Sequence, residues 1–240
     1  ISGASIEHLL LALAAMYIGL PYCPVSAAYS QPGSDLAKLR YVMQLLIPGM
    51  IAAFVTPPPP PPRSTATGAA TGAAAGGATG GAAGETAGDV ATAALVRAIE
   101  VTAPPDAGVL GNVPPVAGRR LLGLEQLGEA GASPGSAAAA RAAAAHEGVT
   151  ADSIAKFLLT SGSTGSPKAV ITTHRMLCSN QIMLRAAVPF VLEQPPIMVD
   201  WLPWNHTFGG SHNVGLALFN GGSLYIDDGR PVPGEFERTV

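Results

Sequence analysis

Apolar positions come in short blocks separated by glycine and proline, and their periodicity changes from block to block. From Ile6 to Ile18 apolar residues occur on every side, with Ser5 before them and Gly19 behind, which predicts a capped helix packed between other elements. Pro21 to Val25 predicts a short proline-bounded strand, and Tyr29 to Gly33 a turn in which Tyr29 packs. Leu36, Leu39, Met43, Leu46 and Ile47 then recur at helical spacing, with Lys38, Arg40 and Gln44 left for solvent. That second helix has Ser34 or Asp35 as cap and stops at Pro48–Gly49. The continuous apolar run Met50 to Val55 predicts a strand buried on both faces of a parallel sheet.

The pattern breaks at Pro57. Six consecutive prolines run to Pro62, and residues 64–88 are almost wholly alanine, glycine and threonine, so this stretch is expected to lack fixed structure. Ala91–Val101 and Leu121–Leu127 predict small elements between proline pairs, and Ser136 to His146 an alanine-rich helix ending at Gly148. Residues 57–150 thus read as a low-complexity insert between 1–56 and 151–240.

Ordinary patterning resumes near Asp152. Phe157–Leu159 ends a buried strand, Ala169–Thr172 forms another, and Thr173 caps a helix from His174 to about Ala187, which Pro189 ends. Ile197–Leu202 predicts a strand, Asn213–Phe219 a short helix, Ser223–Ile226 a strand and Asp227–Gly229 a turn. Helices alternating with strands make the fold class α/β, with mostly parallel sheets and flanking helices.

The chemistry is concentrated between these strands, in FLLTSGSTGSPK from Phe157 to Lys168. Thr160, Ser161, Ser163, Thr164 and Ser166 supply five hydroxyls within seven residues. Gly162 and Gly165 allow close ligand approach, successive loop N–H groups can form an anion-binding concavity, and Lys168 adds a positive charge. The combination suits a triphosphate; the plainer alternative is a Gly/Ser turn between two strands. A Walker A loop is excluded because Pro167 stands five residues after Gly162 and Ala169 follows Lys168, and Ser161 breaks the G-x-S-x-G hydrolase pattern around Ser163.

A second candidate stretch is PWNHTFGG after the Ile197 strand, at a strand exit where α/β ligand sites tend to lie. His206, among Trp204, Phe208 and Gly209, has an apolar setting suited to an aromatic acid. His174, Arg175 and Cys178 have no carboxylate or second histidine at ligand spacing and read as solvated or packed side chains, while Asp227 and Asp228 read as turn formers; no residue is assigned to a metal.

Composition narrows the class further. The chain has 240 residues, 48% of them hydrophobic, but much of that fraction is low-complexity alanine. A net charge of −3 with no basic run excludes nucleic acid as the expected partner and favours a small molecule. Cys23 and Cys178, without zinc spacing, read as buried thiols in a reducing, cytoplasmic setting. The Leu9–Ile18 run is shorter than a membrane span of about 18 residues, so no membrane partner is expected.

The loop resembles the phosphate-binding signature of the adenylate-forming superfamily, whose pattern is close to TSG-[ST]-TG-x-PK-G; the departure is Ala169 where that pattern has glycine. Within it, IAKFLLTSGSTG, THRMLCSNQ, VDWLPWNHTFGG and GGSLYIDDGRP resemble the feruloyl-CoA synthases, as does LALAAMYIGLPYCPVS earlier in the chain. The resemblance implies an ATP-dependent hydroxycinnamate–CoA ligase that forms an acyl-adenylate and then a thioester, with coenzyme A as co-substrate and a small aromatic carboxylic acid as partner. It implies that Thr160, Ser161, Gly162, Ser163, Thr164, Gly165 and Lys168 hold the ATP phosphates, with Thr164 and Lys168 nearest the reacting charge. His206, Phe208 and Gly209 would line the acyl side. Residues for adenine, ribose and Mg2+, and a mobile C-terminal domain, would follow Val240, so the chain is expected to be an inactive internal fragment. Another acyl- or aminoacyl-adenylating domain and a non-catalytic nucleotide-binding module remain as alternatives, and the oligomeric state stays open.

Overall fold

The computed structural model describes residues 1, 3–34, 36–54, 108–111, 121–122, 135–161 and 165–227. Helix α1 (Ile6–Tyr17) starts where Ser5 Oγ accepts from the His8 N–H, and the chain leaves it through Gly19 at φ +76. Its polar His8 is buried while Ile6 and Leu10 are 66% and 61% exposed, so the all-round apolar pattern does not mean all-round burial. Only one face of α1 meets the rest of the described chain.

The strand expected at Pro21–Val25 is reduced to a single parallel bridge between Tyr22 and Lys156. A 3-10 turn (Ala27–Ser30) leads to α2 (Ala37–Leu46), whose N-cap is Leu36 at φ 57, with no side-chain cap. Ser34 does not cap α2, because its hydroxyl donates back to the Tyr29 carbonyl; Asp35 lies outside the described residues. Tyr29 packs against the core, with the Lys38 ammonium 5.9 Å from its ring.

Strand β1 (Met50–Ala53) pairs in parallel with β2 (Gly108–Gly111), and β2 with β3 (Leu121–Leu122), as the apolar run predicts. Burial on both faces is not seen: Ile51 and Ala53 are buried, whereas Met50 is 52% exposed. The reason is one-sided cover. Leu39, Val42 and Met43 of α2 pack with Ile51, Ala53, Val109 and Val25 into a single cluster, each large side chain contributing about 1.5–3 kcal/mol of apolar burial. The prolines at 57–62, the tract to Gly88, and residues 91–101 and 123–127 lie outside the described residues.

The alanine-rich helix expected from Ser136 is α3 (Ala137–Glu147), with Ser136 outside it as the cap and Gly148 closing it as expected. The His146 ring stacks on Tyr17 at 4.1 Å and its Nδ1 contacts the Tyr17 carbonyl, tying α3 to α1. Strand β4 (Ile154–Ser161) pairs antiparallel with β5 (Pro167–Thr173), which starts two residues before the predicted Ala169. Thr173 caps α4 (His174–Ala187) by accepting from the Met176 N–H. Strand β6 (Ile197–Asp200) pairs in parallel with β7 (Ser223–Ile226). Between them a π-helical turn (Phe208–Asn213), which the sequence pattern missed, runs into α5 (Val214–Phe219). Among the described residues no helix is long and apolar enough to cross a membrane.

Candidate functional site

The β4–β5 hairpin decides the form of the hydroxyl-rich loop. Thr160 stands opposite Lys168 and Ser161 opposite Pro167, so the segment between them is a hairpin connection opening off two paired strands. Directly opposed residues in an antiparallel pair point to the same face, so the Thr160 and Lys168 side chains leave the hairpin on one face. Thr160, Ser161 and Lys168 are all exposed. Gly165 has φ +83 with nothing near its missing Cβ, so glycine is required there by conformation rather than by crowding. Gly162, Ser163 and Thr164 lie outside the described residues.

The second stretch is built on a buried carboxylate. Asp200, 1% exposed at the end of β6, accepts from the Trp204 indole N–H at 2.9 Å, the Asn213 amide at 2.8 Å and the Leu202 N–H at 3.2 Å. These bonds end β6 two residues earlier than predicted and fold the following chain back on itself. The fold-back leaves no room for side chains at two points: a Cβ on Gly209 would meet the Pro203 carbonyl at 2.8 Å, and one on Gly210 the Trp204 carbonyl at 2.1 Å. His206 and Phe208 are thereby turned outward and exposed, while Gly209 and Trp204 are buried. Phe208 meets the His212 ring edge-on at 4.9 Å. The apolar surroundings foreseen for His206 thus divide, with Trp204 inside and Phe208 outside.

Lys156 joins the two stretches, and sequence reasoning missed it. It is 2% exposed on β4, and its ammonium donates to the Gly210 carbonyl at 2.7 Å, with the Tyr22 ring 5.9 Å away. Burial lowers its pKa from 10.5 to about 8. Burial also pushes Tyr22 and Cys23 up to about 12, and lowers His8, whose ring meets Trp204 edge-on at 5.5 Å. The available signal was a lysine inside the apolar run IAKFLL, where a solvated charge has no place. Two further buried polar groups, Asp200 and Gln181, also escaped the sequence reading; Gln181 donates to the Ser211 carbonyl at 3.1 Å.

Arg175 is exposed and forks onto Asp152 at 2.8 and 2.9 Å, and their pairing holds the Asp152 carboxyl below the usual carboxylate range. Cys178, expected to be buried, is exposed, and Cys23 is half-buried. Asp227 follows β7 and donates its N–H to the Asp200 carbonyl at 2.9 Å, while Asp228 and Gly229 lie outside the described residues.

The family model for the AMP-binding enzyme matches residues 1–239. The chain belongs to the AMP-binding enzyme family. A 75-residue segment, 31% of this chain, is 36% identical to the medium-chain-fatty-acid–[acyl-carrier-protein] ligase TtuA of Teredinibacter turnerae, covering 11% of that protein. Among solved structures, ATP-bound MatB of Rhodopseudomonas palustris matches with TM-score 0.51 and 21% identity over 98% of this chain and 35% of its own. A red-emitting luciferase of Phrixothrix hirtus matches with TM-score 0.53 and 12% identity over 99% of this chain and 37% of its own. At these identities the structures establish the fold, that of part of an AMP-binding enzyme. The chain spans about a third of the length of these solved relatives.

Proposed function

We propose that this chain carries the phosphate-gripping and acyl-side portions of an ATP-dependent ligase that joins a ferulate-type hydroxycinnamate to coenzyme A. The observation that carries the reading is the pairing of Thr160 with Lys168 at the mouth of the TSGSTGSPK loop, with both residues exposed on an open hairpin in an AMP-binding enzyme. The ATP bound to the matching MatB structure supports the choice of nucleotide.

In this reading Thr160, Ser161, Lys168 and the loop N–H groups between them hold the β- and γ-phosphates, with Thr164 and Lys168 nearest the negative charge that builds on the leaving pyrophosphate. A carboxylate oxygen of the acid attacks the α-phosphorus as the bond to pyrophosphate breaks, giving an acyl-adenylate. The coenzyme A thiolate then attacks the acyl carbon and AMP departs with the bonding electron pair. His206, Phe208 and Gly209 form the side of the cleft that receives the aromatic acid. Mg2+ would neutralise the triphosphate charge. Among the described residues no three His, Cys, Asp or Glu gather to hold a metal, and its ligands are assigned to residues outside them. Catalysis here rests on positioning and charge stabilisation, and the chain alone is expected not to turn over.

The likeness to a medium-chain fatty-acid ligase favours a second reading, in which the acid is aliphatic. Pyrophosphate exchange by the full-length gene product with ferulate, coumarate, caffeate and a medium-chain fatty acid separates the two. Fastest exchange with the hydroxycinnamates is expected; fastest exchange with the fatty acid selects the second reading. Nucleotide binding without exchange overturns both.

A further inference from the structure

A cavity of about 320 Å³ lies between α1, the base of β4, α4 and α5. Leu9, Leu13 and Met16 of α1 face Leu177 of α4 and Val214 and Leu218 of α5 across it. Lys156 is the one charged residue among the described residues lining it, and no carboxylate among them lies within ion-pair distance of its ammonium. Two more polar groups on residues that line it are buried and have no hydrogen-bond partner: the Ser211 hydroxyl and the Gln181 Oε1, on residues 9% and 4% exposed. A buried ammonium with a single carbonyl partner, beside two orphaned polar atoms in an apolar chamber, is a costly arrangement that an anionic ligand would relieve.

We propose that this cavity binds a small carboxylic acid with an apolar body, its carboxylate held by Lys156 and the Ser211 hydroxyl. The Gln181 Oε1 then accepts from a ligand hydroxyl or a water. At water's liquid share of about 30 Å³, the volume holds about ten non-hydrogen atoms, the size of a short aliphatic or single-ring acid. Lys156 remains charged at neutral pH, so the partner is the ionised acid.

This site is separate from the one proposed for adenylation. His206, Phe208 and Lys168 do not line the cavity. Lys156 pairs with Thr172 and Thr160 with Lys168, four residues along β4, a separation of about 13 Å at 3.3 Å per residue. A carboxylate held at Lys156 and a phosphate gripped at Lys168 thus meet β4 at different points along its length. The cavity would hold its acid as a bound ligand rather than as the reacting substrate.

Calorimetric titration of the 240-residue chain without nucleotide tests this, using hexanoate as probe and 1-hexanol as its uncharged counterpart. Saturable hexanoate binding at least tenfold tighter than hexanol is expected. Lys156→Met should abolish that preference, and Ser211→Ala, a smaller change, should weaken hexanoate several-fold if Lys156→Met does not fold. Lys168→Ala should leave hexanoate binding unaltered, which separates this site from the phosphate loop. Equal binding of hexanoate and hexanol, hexanoate affinity retained in both cavity variants, or no saturable hexanoate binding would overturn the proposal.

Discussion

Replacing Lys156 by methionine should alter how stability responds to pH, by an amount set by the lysine's burial. The folded chain holds this ammonium 2% exposed, and its pKa falls from 10.5 to about 8 because burial disfavours the charged form. Between those two values the unfolded chain binds more protons than the folded one, so this group makes stability rise with pH across the window. Below pH 8 both states are protonated, and the burial cost stands in full. A fall from 10.5 to about 8, at about 1.4 kcal/mol per pH unit, amounts to about 3–4 kcal/mol. Going from pH 7 to pH 10 should therefore shift the difference between wild type and Lys156→Met by about 2–3 kcal/mol in favour of wild type. Taking the difference cancels Tyr22 and Cys23, which are common to both proteins, while His8, whose pKa burial and the Lys156 charge hold below 6.5, titrates below the pH 7 to 10 window. The hydrogen bond to Gly210 is lost in the variant at either pH and sets only the offset. Urea unfolding of both proteins at half-unit pH intervals measures the effect. A difference constant within about 0.5 kcal/mol would refute the argument, and would mean that water reaches the ammonium.

Lys168→Ala should weaken ATP phosphate binding by about 1.5–3 kcal/mol while leaving cooperative melting intact, since Lys168 is exposed; unchanged affinity in a nucleotide titration would make the loop a plain turn. His206→Ala in the full-length protein should raise KM for the aromatic acid more than KM for ATP, and a loss confined to the ATP term would place His206 at the nucleotide. Asp200→Ala should cost about 3 kcal/mol in urea unfolding, because it strips an acceptor from the buried Trp204 and Asn213 donors, and a loss under about 1 kcal/mol would contradict the role given to this carboxylate.

Local signals alone determined several elements correctly. The caps at Ser5 and Thr173 act on backbone N–H groups three residues ahead, so α1 and α4 begin where the sequence predicts. The hydroxyl- and glycine-rich loop closed by Lys168 was legible for the same reason, since its residues are neighbours in the chain and its pattern carries the family. Burial and pairing were not local. Periodicity could not tell that α1 would keep Ile6 and Leu10 in solvent or that β1 would be covered on one face, because the covering surface comes from elsewhere in the chain. The Pro21–Val25 run shrank to one bridge, Tyr22 with Lys156, because its pairing depended on a strand far along the chain. Only the tertiary structure brought Lys156 to Gly210, 54 residues apart, or set Asp200 beneath Trp204 and Asn213. A buried polar group is stable only where folding supplies its hydrogen-bond partners, and those partners have no fixed sequence spacing.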